Sequence, residues 1–221
     1  EGTPRGAVVV LQEIFGVNSH IRSVADRYAA SGYLAVAPST FHRVKQGVEL
    51  GYTGDDMQAG MGLKAAVEAL PAPGVMPDIQ AAIDYAAQQS GGKVGIVGYC
   101  WGGRTAWVYA RHNGNLNAAV AYYGLLEGLK TPELRPQDPI DFADEIRVPV
   151  LGPYSGIDAF VKQETIAKMR GLVNKGGSGS EIVVFPNVDH GFNADYRPTY
   201  DKAAATYAQK LAGDWFKKYR V

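Results

Sequence analysis

The chain has 221 residues, 46% of them hydrophobic and 20% charged, and its 22 Lys and Arg balance 22 Asp and Glu to a formal net charge of zero. A neutral chain has no overall basic field to gather a polyanion, which excludes nucleic acid and anionic membrane as expected partners. Its one cysteine excludes an internal disulfide and any multi-cysteine metal site.

This length suits a single α/β domain over residues 1–221, with the start at Glu1, lacking an initiator methionine, read as a trimmed N-terminus. No apolar run approaches the roughly 20 residues that span a bilayer, and no signal-peptide pattern is visible. A cytoplasmic monomer is the expectation.

In chain order, Ala7 to Leu11 reads as a buried strand, and Ser19 to Ser31 as an amphipathic helix with Ile21, Val24, Ala25, Tyr28 and Ala29 on one stripe and Gly32 closing it. A short strand at Leu34 to Ala37 follows. The next region, containing Gly47, Gly51, Gly54 and Gly60, reads as a long loop, and Pro71, Pro73 and Pro77 separate it from a helix around Asp78 to Gln88. Strands then alternate with helices: Lys93 to Val97, a helix from Gly103 to Arg111, Ala118 to Tyr122, Val148 to Leu151, a helix across Phe160 to Asn174, Glu181 to Phe185, and a terminal helix from Thr199 to Tyr219. Such alternation predicts a mostly parallel sheet with helices on both faces.

The only cysteine lies in Gly98-Tyr99-Cys100-Trp101-Gly102, between a strand and a helix. Glycines two residues either side suit a sharp turn, because missing Cβ atoms let strand and helix approach, and the turn would lift the sulfur into a cleft. A thiol nucleophile needs a base, an acid to orient that base, and donors for an oxyanion. Of the four histidines, His20 and His42 precede Cys100 and His112 closes the helix that Cys100 opens, which leaves His190 after the last strand, where sites form in parallel sheets. Asp158 is favoured as the acid, since it follows another strand, with Asp189 as its rival; adjacent side chains rarely face each other. Asp158 also suits an N-cap, and the two roles are not expected to share one carboxylate. The order Cys100, Asp158, His190 is the nucleophile, acid, histidine order of α/β-hydrolases, and the expected oxyanion donors are the backbone N–H groups of Trp101 and Ile14.

Leu11-Gln12-Glu13-Ile14-Phe15-Gly16, Gly98-Tyr99-Cys100-Trp101-Gly102-Gly103, Tyr122-Tyr123-Gly124 and His190-Gly191-Phe192 together make the chain resemble the dienelactone hydrolase family over nearly its whole length. The resemblance implies an α/β-hydrolase fold and hydrolysis of an activated ester such as an enol-lactone ring. It implies Cys100, His190 and Asp158 as a triad working through a thioester, and no metal or organic cofactor. It also implies that Glu13 holds the resting thiol, in keeping with the cost of leaving a carboxylate unpaired between Leu11 and Ile14. The expected partner is a small-molecule lactone or activated ester. Phe15, Trp101 and Phe192 are expected to line the pocket because they adjoin these residues. The family's substrate-carboxylate arginines are missing: Ala194 stands four residues beyond His190, and no arginine occurs between Arg43 and Arg104. Arg104, Arg197 and Lys64, the conceivable substitutes, are expected as solvated surface charges. Two other functions keep the fold: a thiol redox sensor, for which no resolving cysteine exists, and a non-catalytic ligand-binding module.

Overall fold

The structure is a computed structural model that describes residues 2–113, 115–130 and 135–221. Six strands form one wholly parallel sheet: β1 (Ala7–Leu11), β2 (Leu34–Val36), β3 (Val94–Tyr99), β4 (Ala118–Tyr122), β5 (Val150–Ser155) and β6 (Glu181–Phe185). Their order is β2-β1-β3-β4-β5-β6, so the chain first winds outward to β2 and then crosses back over β1 to continue the other way. The central strands β1, β3 and β4 are buried along their whole length, as strands covered on both faces must be.

Among the described residues, α1 (Ser19–Ala30), α3 (Met76–Ser90), α4 (Trp101–His112), α5 (Gln163–Gly176) and α6 (Lys202–Lys218) supply that cover, while α2 (Gly54–Glu68) lies beyond the carboxyl ends of the strands. Alternate strand residues face opposite sides, so Val9, Leu11 and Ile96 pack with Ile79 and Ile83 of α3, Trp107 of α4 and Met169 of α5. Val8, Val10 and Val97 pack the other way, with Ile21 and Val24 of α1 and Ala208 and Phe216 of α6. Local chemistry sets the helix starts. The Asn18 side chain accepts from Ile21 N–H, Thr53 and Asp56 form a capping box at α2, and Asp201 accepts from Ala204 N–H at α6.

The helix α2 corrects the expectation of a loop. Its apolar residues are not gathered on one face and it carries Gly60 and Gly62, so periodicity gives no helical signal. What places it is contact: a Cβ on Gly60 would lie 2.5 Å from the Ile14 carbonyl oxygen, so only glycine lets α2 rest on the loop after β1. There Ile14, Phe15, Phe41, Val48, Val67 and Trp101 form a third apolar cluster above the carboxyl ends of the strands. The strand β5 also differs from expectation. It begins two residues later than Val148 and continues to Ser155, which carries the following loop up to the same rim.

Candidate active site

Cys100 sits between β3 and α4 with φ +53° and ψ −112°, a left-handed conformation that a non-glycine residue holds only where its surroundings over-determine it. The surroundings are glycines. A Cβ on Gly98 would lie 1.9 Å from the Gly102 carbonyl oxygen, and one on Gly102 would lie 2.5 Å from the carbonyl oxygens of Leu11 and Gln12. The turn therefore closes only with both glycines, as the pentapeptide predicts.

His190 and Asp158 meet across 32 positions of sequence, with Nδ1 2.8 Å from Oδ2 in a buried pair. The other oxygen of Asp158 accepts from Phe160 N–H at 2.8 Å and Val161 N–H at 3.2 Å, while α5 starts later, after Lys162. One carboxylate thus pins its own turn and faces the imidazole, while the N-cap position of α5 falls to Lys162 and not to Asp158. Asp189, the rival, turns to its own backbone: its Oδ1 accepts from His190 N–H at 2.6 Å. Its carbonyl accepts from Ser155 Oγ at 3.0 Å, which ties the histidine loop to the end of β5.

Cys100 and His190 line one cleft of about 120 Å³, with Ile14, Phe15 and Trp101 along its wall. Burial disfavours the charged imidazole, but the nearby Cys100 charge and the hydrogen bond with Asp158 outweigh it and push His190 up from 6.5 to about 10. A raised value means that the pair's contribution to stability is full below about pH 6.5 and is lost as pH climbs through about 10. The stability gap between wild type and His190→Gln should therefore shrink as pH rises from 7 toward 10. Thermal unfolding of both proteins across that range checks this, and a gap that widens would contradict it.

Among the described residues, neither Trp101 N–H nor Ile14 N–H donates to a turn, loop or side-chain acceptor, so both remain available at the cleft wall. Trp101 also opens α4, whose N-terminal dipole favours negative charge beside it. Its ring stacks on Phe41, and its Nε1 donates to Glu68 Oε1 at 3.1 Å.

Glu13 is buried just beyond the end of β1. Tyr52 donates to Oε2 at 3.2 Å and Arg197 Nη1 to Oε1 at 3.3 Å, and among the described residues no hydrogen bond joins Glu13 to Cys100. The expected grip on the thiol is corrected: two neighbours already occupy the carboxylate. Phe192 is also corrected, because it is fully buried among Tyr122, Tyr123 and Phe185 beneath the site and leaves the pocket to Phe15.

The three side chains expected as surface charges instead line the cleft. Arg104 is buried with Nη1 2.9 Å from Asp138 Oδ1, Lys64 Nζ donates to Glu68 at 2.8 Å, and Arg197 pairs with Glu13. The sequence carried no sign of the Arg104 and Arg197 pairings, whose partners lie up to 184 positions away, and the i,i+4 pair Lys64–Glu68 was hidden because its segment read as loop. Tyr52 and Glu68 went unnoticed for the same reason, in a segment read as loop. No group of three metal-ligating side chains occurs among the described residues, and no described helix is long and apolar enough to cross a membrane.

A wholly parallel sheet covered on both faces, with a strained Cys100 at a strand-to-helix turn and an Asp-paired histidine beside it, defines an α/β-hydrolase. The family profile for the dienelactone hydrolase family matches residues 1–220. An Escherichia coli relative, provisionally named carboxymethylenebutenolidase, is 39% identical over 98% of this chain and 78% of its own. One from Methylorubrum extorquens with the same provisional name is 38% identical over the whole chain and 75% of its own. A crystal structure from Klebsiella pneumoniae, provisionally called a dienelactone hydrolase, superposes with TM-score 0.85 at 37% identity, covering 99% of this chain and 89% of that one. The chain belongs to the dienelactone hydrolase family and is a carboxylic ester hydrolase acting on small molecules.

Proposed function

We propose that this protein opens an activated ester, foremost an enol-lactone ring, by attack of Cys100 and passage through a thioester. The observation that carries the reading is the 2.8 Å Asp158–His190 pair facing the same cleft as the strained Cys100. A protonated His190 stabilises the thiolate, which adds to the lactone carbonyl. The N–H groups of Trp101 and Ile14 receive the oxyanion, the enolate departs and takes the His190 proton, and the now neutral His190 takes a proton from the water that cleaves the thioester and frees the thiolate. A more distant Bradyrhizobium relative, 27% identical over 91% of this chain, carries a provisional lactonase name, which accords with a ring substrate.

Chemistry sets the substrate range. Thiolate is a good leaving group, so the tetrahedral adduct reverts unless the departing oxygen is comparably stabilised, as an enolate or phenolate is and an alkoxide is not. With one acyl group throughout, kcat/KM should fall by about a thousandfold from enol or aryl esters to the ethyl ester. Efficient turnover of the ethyl ester would overturn the thioester route. A thiol sensor would instead gain oxygen on Cys100 under peroxide and turn over none of the series, so mass spectrometry beside the kinetics separates the two.

A further inference from the structure

Each cation on the cleft wall is already paired with an acid. Arg104 sits against Asp138 at 2.9 Å, Lys64 against Glu68 at 2.8 Å and Arg197 against Glu13 at 3.3 Å, and all six side chains are at most 12% exposed. Arg135 shares Glu68 with Lys64, and this one surplus positive charge is matched by Asp158 against His190, while Cys100 and His190, with one proton between them, add no net charge whichever of the two carries it. The site as a whole is electrically neutral before anything enters.

The rest of the lining is hydrocarbon and thioether. Ile14, Phe15, Leu125 and Leu129 form the inner wall, and Met57, Met61 and Phe160 stand at the mouth, with 36%, 51% and 65% of their surface exposed. A carboxylate entering such a space gives up its water and finds only cations whose charge is already cancelled, which leaves one uncompensated negative charge in an apolar cleft. Methionine side chains, being flexible and polarisable, fit themselves to apolar guests of varied outline.

We propose that the cleft selects lactones and activated esters that carry no free carboxylate, a substrate class set by internal neutralisation of Arg104, Lys64 and Arg197. The inference rests on the hydrolase reading of the same site for its catalytic arm only. The test uses an enol lactone with a carboxylate substituent and the methyl ester of that carboxylate, so that ring and leaving group are identical. Wild type is expected to show at least about tenfold higher kcat/KM for the neutral compound. Titration of both compounds into the Cys100→Ala/His190→Gln double variant, which cannot form the thioester and loses both members of that pair, should show the same order in Kd. Equal or tighter binding of the carboxylate overturns the proposal whatever the chemistry does. Turnover of the neutral lactone by Cys100→Ala at the wild-type rate defeats the thioester reading and leaves the binding comparison intact. In Glu68→Gln, which removes the acid from Lys64 and Arg135, the Kd ratio should move toward the carboxylate; an unmoved ratio would count against internal neutralisation as its cause.

Discussion

Cys100→Ala should lower kcat/KM on an enol lactone by at least about ten-thousandfold while leaving the fold intact. The fold is insensitive because the left-handed turn is set by the close approach of Gly98 and Gly102, not by the sulfur. Alanine meets the same φ of +53° as cysteine. On the proposed mechanism the activity is sensitive because only the Trp101 and Ile14 N–H groups and His190 remain, and such remnants account for only a small part of a nucleophilic enzyme's rate. Cys100→Ser sharpens the argument. A hydroxyl beside His190 is a weaker nucleophile than the thiolate but a worse leaving group, so its adduct no longer reverts in preference to losing an alkoxide. The serine variant should be slower on enol lactones and yet show a narrower gap between enol and ethyl esters. Steady-state kinetics on one acyl series measures both effects, and a gap unchanged by the substitution would remove thiolate departure as the source of selectivity.

Asp158→Asn is the second large effect, with a loss of about a thousandfold to ten-thousandfold in kcat expected. Asparagine can keep the side-chain oxygen that accepts from Phe160 and Val161 N–H, so the turn before α5 survives. Its amide then stands where Oδ2 lay 2.8 Å from His190 Nδ1, and it donates where it should accept. The ring is driven to the tautomer with its proton on Nε2, and it can then accept a proton neither from the thiol nor from water. Asp158→Ala takes away both oxygens and should also lower thermal stability. Comparing melting temperatures of the two variants separates the turn from the chemistry, and equal melting temperatures would show that the turn does not depend on Oδ1.

Those parts of the molecule governed by short-range chemistry were legible beforehand. The glycine pair around Cys100 announces a turn that only missing Cβ atoms permit, and the alternation of apolar strands with amphipathic helices announces a parallel sheet. The preference for Asp158 over Asp189 followed from adjacent side chains rarely facing each other, and in the structure Asp189 folds back on His190 N–H while Asp158 reaches the ring. What stayed hidden depends on partners far along the chain. Nothing near Arg104 announces Asp138, and nothing near Glu13 announces Tyr52 or Arg197, so buried ion pairs looked like surface charges and a salt-bridged carboxylate looked like a keeper of the thiol. Phe192 follows His190 closely in sequence, yet after Gly191 at φ +80° its side chain turns down into the core. Likewise α2 owes its place to the bare backbone of Gly60, a property with no periodic trace.

That placement has a consequence for reshaping the enzyme. Among its own residues α2 buries only Gly60 and Val67, yet it presents Met57, Met61 and Lys64 to incoming molecules. The segment behaves as an interchangeable brim: its outward positions can be rewritten to admit bulkier or differently shaped guests without disturbing the strands that hold Cys100 and His190. Gly60 and Val67 must be spared: any larger residue at 60 would lever the whole helix off the Ile14 carbonyl, and Val67 packs in the apolar cluster beneath it.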